Sequence, residues 1–194
     1  MRVKHPIIIL LLALSLSACG RGEDRQALRQ EALSSREAGN YEAAAELFGR
    51  ALEASGGRAG EAEIDLLRYK ADCEFMAGRF EAAARSYDAL LLLEEAEDSL
   101  RFYRERKGYI DGCGVLQRAA DVMQEGNYPE ALDMLAPLTE RDDDIAKTAL
   151  FNQAVCCEYM HDFEKALRLF EEYLERWPGD EAAEKEATFL RSRR

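Results

Sequence analysis

Histidine, proline and tryptophan are scarce in this chain, numbering two, four and one among 194 residues. Few prolines means few missing backbone donors, so long helices are permitted. Runs of Val, Ile and Thr are nearly absent after residue 20, which withholds the branched side chains that strands favour. A sheet is therefore not expected. Histidines are too few to build a metal set with the cysteines and carboxylates. His161 sits in a turn, and His5 belongs to the extreme N-terminus. No glycine-rich phosphate loop, nucleophile elbow or paired-carboxylate constellation is present. Neither an enzyme nor a cofactor or metal is expected. Basic residues are also in deficit, 26 against 38 acidic, for a net charge of −12. Nucleic acid needs a basic patch against its phosphates, and an anionic membrane surface needs the same. Both are poor partners for this surface.

What is abundant points one way. Ala, Leu, Glu and Arg dominate, and all four are strong helix formers. Hydrophobic residues make up 47% of the chain, enough to bury a sizeable core. The expectation is one all-α domain.

The N-terminus reads as an address. Arg2 and Lys4 precede the apolar residues 7–12, and small residues follow. That is the layout of a secretory signal peptide, and the apolar run is shorter than the about 20 residues that span a bilayer. Leu16-Ser17-Ala18-Cys19 resembles the lipobox of bacterial lipoproteins. The resemblance implies cleavage before Cys19, with a diacylglycerol on its sulfur and a membrane anchored through that lipid. Residues 1–18 are then a leader and 19–24 a lipidated tether. Loss of Arg2 and Lys4 leaves 24 basic and 38 acidic residues, a net charge of −14. Gly20 follows the cysteine where some lipoproteins carry a retaining aspartate. The expected location is extracytoplasmic, anchored in the cell membrane or the outer membrane.

One pattern returns four times: Gly39-Asn40-Tyr41-Glu42-Ala43-Ala44, Gly78-Arg79-Phe80-Glu81-Ala82-Ala83, Gly126-Asn127-Tyr128-Pro129-Glu130-Ala131 and His161-Asp162-Phe163-Glu164-Lys165-Ala166. The first residue suits a left-handed helix end, and histidine tolerates that conformation better than most. Asn40, Asn127 and Asp162 are candidate caps of the next helix. A glutamate follows in the first turn, where the helix dipole favours negative charge. Each helix then carries an inward stripe: Tyr41, Ala44, Phe48, Ala51 and Leu52; Phe80, Ala83, Tyr87 and Leu90; Tyr128, Ala131, Leu135 and Leu138; Phe163, Ala166, Phe170 and Tyr173. The preceding helices carry Leu28 and Ala32, Leu67 and Ala71, Val115 and Ala119, Leu150 and Ala154. The remaining glutamates read as solvated helix faces.

These stripes, with Trp177-Pro178-Gly179-Asp180 closing the fourth unit, resemble the tetratricopeptide repeat family, whose unit is a helix–turn–helix of about 34 residues. The resemblance implies an α-solenoid, a right-handed superhelix of about four repeats over residues 25–194. The repeats fall near 25–58, 64–97, 112–140 and 147–180, with a capping helix at 181–191. An insert at 94–111 remains. It is either the start of an unusually long helix, weakened by Gly108, Gly112 and Gly114, or an extra helix that breaks near Gly112.

Cys73, Cys113, Cys156 and Cys157 remain after Cys19. Cys73 and Cys156 hold equivalent places two repeats apart, beyond the about 7 Å that a disulfide spans. They read as core-filling residues, with a redox pair or a Cys113 bridge as the rival.

Family members bind a peptide or helix along the groove lined by the first helix of each repeat. The resemblance places Arg68, Asp72, Phe75, Met123, Phe151, Asn152 and Val155 on that groove as partner-binding candidates. The set of Lys and Asn that the family uses to clamp a terminal carboxylate is not matched. Tyr103 and Tyr109 of the insert are further candidates as exposed anchors. The expected function is a lipid-anchored protein–protein interaction scaffold of the bacterial envelope. The alternative is an accessory or substrate-binding lipoprotein that recognises a glycan or small ligand through aromatics of the insert.

Overall fold

The structure is a computed structural model that describes residues 25–56 and 60–193. The leader, Cys19 and the tether lie outside the described residues. All regular structure among the described residues is helical. The chain divides into two units, one ending at Ile110 and the other beginning at Asp111.

The first unit holds α1 (25–37), α2 (Tyr41–Ala54), α3 (Glu61–Met76) and α4 (Phe80–Leu93). It also holds the first part of α5 (Glu97–Gln124). The second unit continues from the rest of α5 through α6 (Tyr128–Leu135), a 3₁₀ turn (Ala136–Leu138), α7 (Asp144–Tyr159), α8 (Phe163–Arg176) and α9 (Glu181–Arg191). The 28 residues of α5 form one helix, so no break occurs at Gly112.

The four turns close in the same way. Gly39, Gly78, Gly126 and His161 take φ of 79°, 73°, 81° and 62°. The next residue donates its N–H back five residues: Asn40 to the Ser35 carbonyl, Arg79 to Glu74, Asn127 to Val122 and Asp162 to Cys157, at 2.8–3.1 Å. The carbonyl of that same residue accepts the first bond of the following helix, from Ala44, Ala83, Ala131 or Ala166. One backbone unit thus ends one helix and starts the next, satisfying groups that a helix end leaves open. This corrects the capping expectation in part. Asp162 accepts from the Lys165 N–H, but the Asn40 and Asn127 side chains cap nothing. The Asn127 amide instead donates to Glu130. Because the backbone already makes the connection, a side-chain cap is optional there.

The stripes supply the core. Ala44, Ala83, Ala131 and Ala166 are fully buried, and so are Phe48, Tyr87, Leu135 and Phe170 four residues on. Each of the latter gains roughly 1.5–3 kcal/mol from burial. The leading aromatics Tyr41, Phe80, Tyr128 and Phe163 are only half-buried, because a helix's first residue has neighbours on one side. In the first unit Phe48 stacks on Tyr69 at 5.4 Å, joining α2 to α3. In the second, Ala183, Ala187 and Leu190 of α9 join the core of α7 and α8. Asp180 caps α9 and accepts from the Tyr173 hydroxyl at 2.7 Å.

Three sequence readings change. Gly112 is no weak point: it is buried, and a Cβ there would lie 2.6 Å from Cδ1 of Ile145 on α7. Glycine is what lets α7 approach. Tyr103 is buried against Tyr87 at 5.9 Å, and Tyr109 packs edge-on against Phe75 at 6.1 Å, so neither is an exposed anchor. Glu74 is only 3% exposed, bonded to Lys70 and Ser86, and so is not a solvated glutamate.

Candidate functional site

Each unit carries a cavity beside its first-helix face. In the first unit it holds about 340 Å³ and is lined by Arg36 of α1, Tyr41 of α2, Asp72, Cys73 and Met76 of α3, and Phe102 and Arg106 of α5. In the second it holds about 440 Å³, lined by Ala120, Met123 and Gln124 of α5, Tyr128 of α6, and Asn152, Val155 and Tyr159 of α7.

The two cavities occupy one register. Arg36 and Met123 each stand three residues before a turn residue, and Tyr41 and Tyr128 two after it. Asp72 and Val155 stand six before the next turn residue, and Met76 and Tyr159 two before it. The repeat therefore makes the same hollow twice and fills it with different chemistry. The first carries charge, on Arg36, Asp72 and Arg106. The second is uncharged and aromatic, with Tyr128 stacked on Tyr159 at 4.8 Å and an interplanar angle of 6°. Tyr159 is 61% exposed, and such a solvent-facing aromatic stack is a ready contact surface.

Local geometry explains the charged cavity. The Asp72 carboxylate accepts from the Tyr87 hydroxyl at 2.7 Å. Burial, that bond and the Asp72 charge push the Tyr87 hydroxyl above its usual range, and the Arg106 guanidinium pulls it back. The tyrosine stays a donor. Burial pushes the Cys73 thiol up to about 11, and the Cys156 thiol likewise to about 11. Both are protonated at neutral pH and lack the thiolate that nucleophilic chemistry needs. No disulfide links the described cysteines.

The predicted groove residues separate into three groups. Asp72 lines the first cavity, and Met123, Asn152 and Val155 line the second. Arg68 pairs with Asp65 at 2.8 Å on its own helix and lies over Tyr69. Phe75 and Phe151 belong to packing. Phe75 lies between Phe80 and Tyr109, and Phe151 meets Phe170 and Tyr173 edge-on at 5.3 and 5.6 Å. Both are large apolar residues with aromatic neighbours in reach, and burial outweighs exposure for them.

Sequence reasoning missed Arg36, Tyr41, Met76, Phe102, Arg106, Tyr128 and Tyr159 as lining residues. The inward stripe assigns Tyr41 and Tyr128 to the core, whereas both are half-buried at a cavity. Register counted from the turns was the available signal, since the residue two before each turn is the last of a first helix, as Met76 and Tyr159 are.

A family model for the tetratricopeptide repeat matches residues 29–99 and 116–181. No curated protein matches the chain. Among solved structures, the second TPR domain of human RPAP3, in complex with the HSP70 peptide SGPTIEEVD, is 15% identical. That match covers 88% of this chain and 98% of the other, at a TM-score of 0.32. A thermophilic TPR protein from Thermus thermophilus is 17% identical, covering 86% and 98%, at a TM-score of 0.37.

Proposed function

Since the chain belongs to the tetratricopeptide repeat family, whose domains mediate protein–protein interaction, we propose that it is a lipid-anchored scaffold of the bacterial cell envelope that binds a partner polypeptide on its first-helix face. The observation that carries this reading is the exposed Tyr128–Tyr159 stack beside Met123, Val155 and Asn152. Rigid aromatics bring large contact area at little entropic cost, and Asn152 adds directional hydrogen bonds. The anchor rests on Leu16-Ser17-Ala18-Cys19 after the apolar leader. The reading of a glycan or small ligand held by the insert loses Tyr103, which is buried against Tyr87, and has Tyr109 half-buried against Phe75.

A photo-crosslinking side chain at Tyr159, with the full chain in its native envelope, tests the scaffold. One discrete crosslinked protein is expected, and it disappears on Met123→Glu. Crosslinks no different from those of a probe at exposed Lys185 on α9 would end the reading. Metabolic labelling with an alkyne fatty acid tests the anchor: the label enters the wild-type chain and not Cys19→Ser.

A further inference from the structure

The geometry points to the cavity of the first unit as a subsite for an Asp or Glu side chain of the bound polypeptide, held between Arg36 and Arg106. This rests on the partner-binding reading above and states what one of the two cavities selects.

Charge is the first observation. The chain carries −12, yet this cavity holds two guanidiniums and one carboxylate. That carboxylate, on Asp72, already accepts from Tyr87. Neither Arg36 nor Arg106 pairs with a carboxylate among the described residues. Arg25, Arg68, Arg101, Arg104, Arg141, Arg168 and Arg191 do pair with one.

Placement is the second. The Arg36 Cζ lies 5.5 Å from the centre of the Tyr69 ring, and the Arg106 Cζ lies 4.5 Å from that of Phe75. Both rings belong to α3, so one helix seats the arginines of α1 and α5. A guanidinium over a ring face is held in place with N–H groups left to donate in its own plane, and Arg106 gives only part of its set to the Tyr87 hydroxyl. Donors positioned in advance bind a carboxylate with less ordering cost than free side chains would.

The third observation is the companion cavity. In the same register Met123 replaces Arg36 and Val155 replaces Asp72. The same register of the second unit thus forms without these charges. Met76 and Phe102, each 53% exposed, form apolar shoulders. They fit an apolar residue next to the acidic one. An anionic lipid headgroup offers similar charge, but a chain this acidic is repelled by the surface that presents it.

The test pans the full chain against a random heptapeptide library with acetylated N-termini and amidated C-termini, then measures affinities by fluorescence polarisation. Enrichment of Asp or Glu beside Leu, Met or an aromatic is expected. Arg36→Gln and Arg106→Gln should each weaken the selected peptides about tenfold, as should Gln for Glu in the peptide. Asp72→Asn keeps an oxygen for Tyr87 and removes a competing charge, so it should tighten them several-fold. Arg168→Gln, an equal charge change on α8, should alter nothing. The Asp72→Asn gain does not depend on either arginine variant folding normally. Selected peptides without acidic residues, or affinities unmoved by the arginine variants, would overturn the subsite and leave partner binding standing. Phosphatidylglycerol vesicles that bind in place of peptides, and release on Arg36→Gln, would overturn it in favour of a headgroup. No selected peptide and no vesicle binding would remove both readings.

Discussion

Two glycines four residues apart on α5 should respond oppositely to alanine. In an unconstrained helix the change from glycine to alanine gains about 1 kcal/mol, since glycine loses more backbone freedom on folding. At Gly108 a Cβ meets no atom within 4 Å, so Gly108→Ala should stabilise by about 0.5–1 kcal/mol. At Gly112 the Cβ would lie 2.6 Å from Ile145 Cδ1 and 3.2 Å from its Cγ2. Ile145 is itself buried and β-branched, so its Cγ2 cannot swing away without moving α7. Overpacking of this kind costs about 1–3 kcal/mol. After the helix gain is set against it, Gly112→Ala should destabilise by about 1 kcal/mol, a fall of about 2–4 °C in Tm for a chain of this size. Ile145→Val removes the Cδ1 methyl and alone costs about 0.5–1.5 kcal/mol. Combined with Gly112→Ala it should cost less than the sum, with a coupling of about 1 kcal/mol. Urea midpoints followed by circular dichroism measure all four proteins. A Gly112→Ala chain as stable as Gly108→Ala, or strict additivity with Ile145→Val, would refute the close-approach explanation.

Three further outcomes are expected. Lys70→Met strands the Glu74 carboxylate, 3% exposed and left with Ser86 alone, and should cost about 3 kcal/mol; Lys70→Met with Glu74→Leu should recover most of that in the same urea assay. His161→Gly relieves a left-handed residue at φ 62° and should stabilise by up to about 1 kcal/mol, read as a rise in Tm. Asp143 is held below its ordinary value of 3.8 by the Arg141 guanidinium and by the N–H groups of Ile145 and Ala146 that it caps. Its native form therefore favours the unprotonated state, so its contribution is complete above that value and is lost as pH falls through the lower native one. The urea midpoint of Asp143→Asn should be lower at neutral pH and should converge on wild type in acid; equal spacing at every pH would contradict this.

The limits of legibility follow from the range of the interactions. The repeats were readable because their signals are local. A positive-φ residue, a glutamate in the first turn and an aromatic–alanine stripe all fall within one helical turn or two. The cavities were half readable. Asp72, Met123, Asn152 and Val155, expected on the groove face, line the two cavities. Phe75 and Phe151 were placed there too, but aromatic neighbours drew them into packing. Arg36 and Arg106 are 70 positions apart in the chain, and nothing local ties one to the other.

Composition and periodicity by themselves determined an all-helical repeat array, its four turns and the alanines and large residues of its second helices. Those choices depend on φ preference and on the 3.6-residue period, which each segment carries within itself. Tertiary packing alone decided that α5 runs unbroken past Gly112, because only the approach of Ile145 turns a weak helix residue into a required one. Packing likewise buried Tyr103 against Tyr87 and set Arg36 and Arg106 over the rings of α3. Those outcomes depend on which side chains from distant segments meet, and a one-dimensional pattern does not contain that distance.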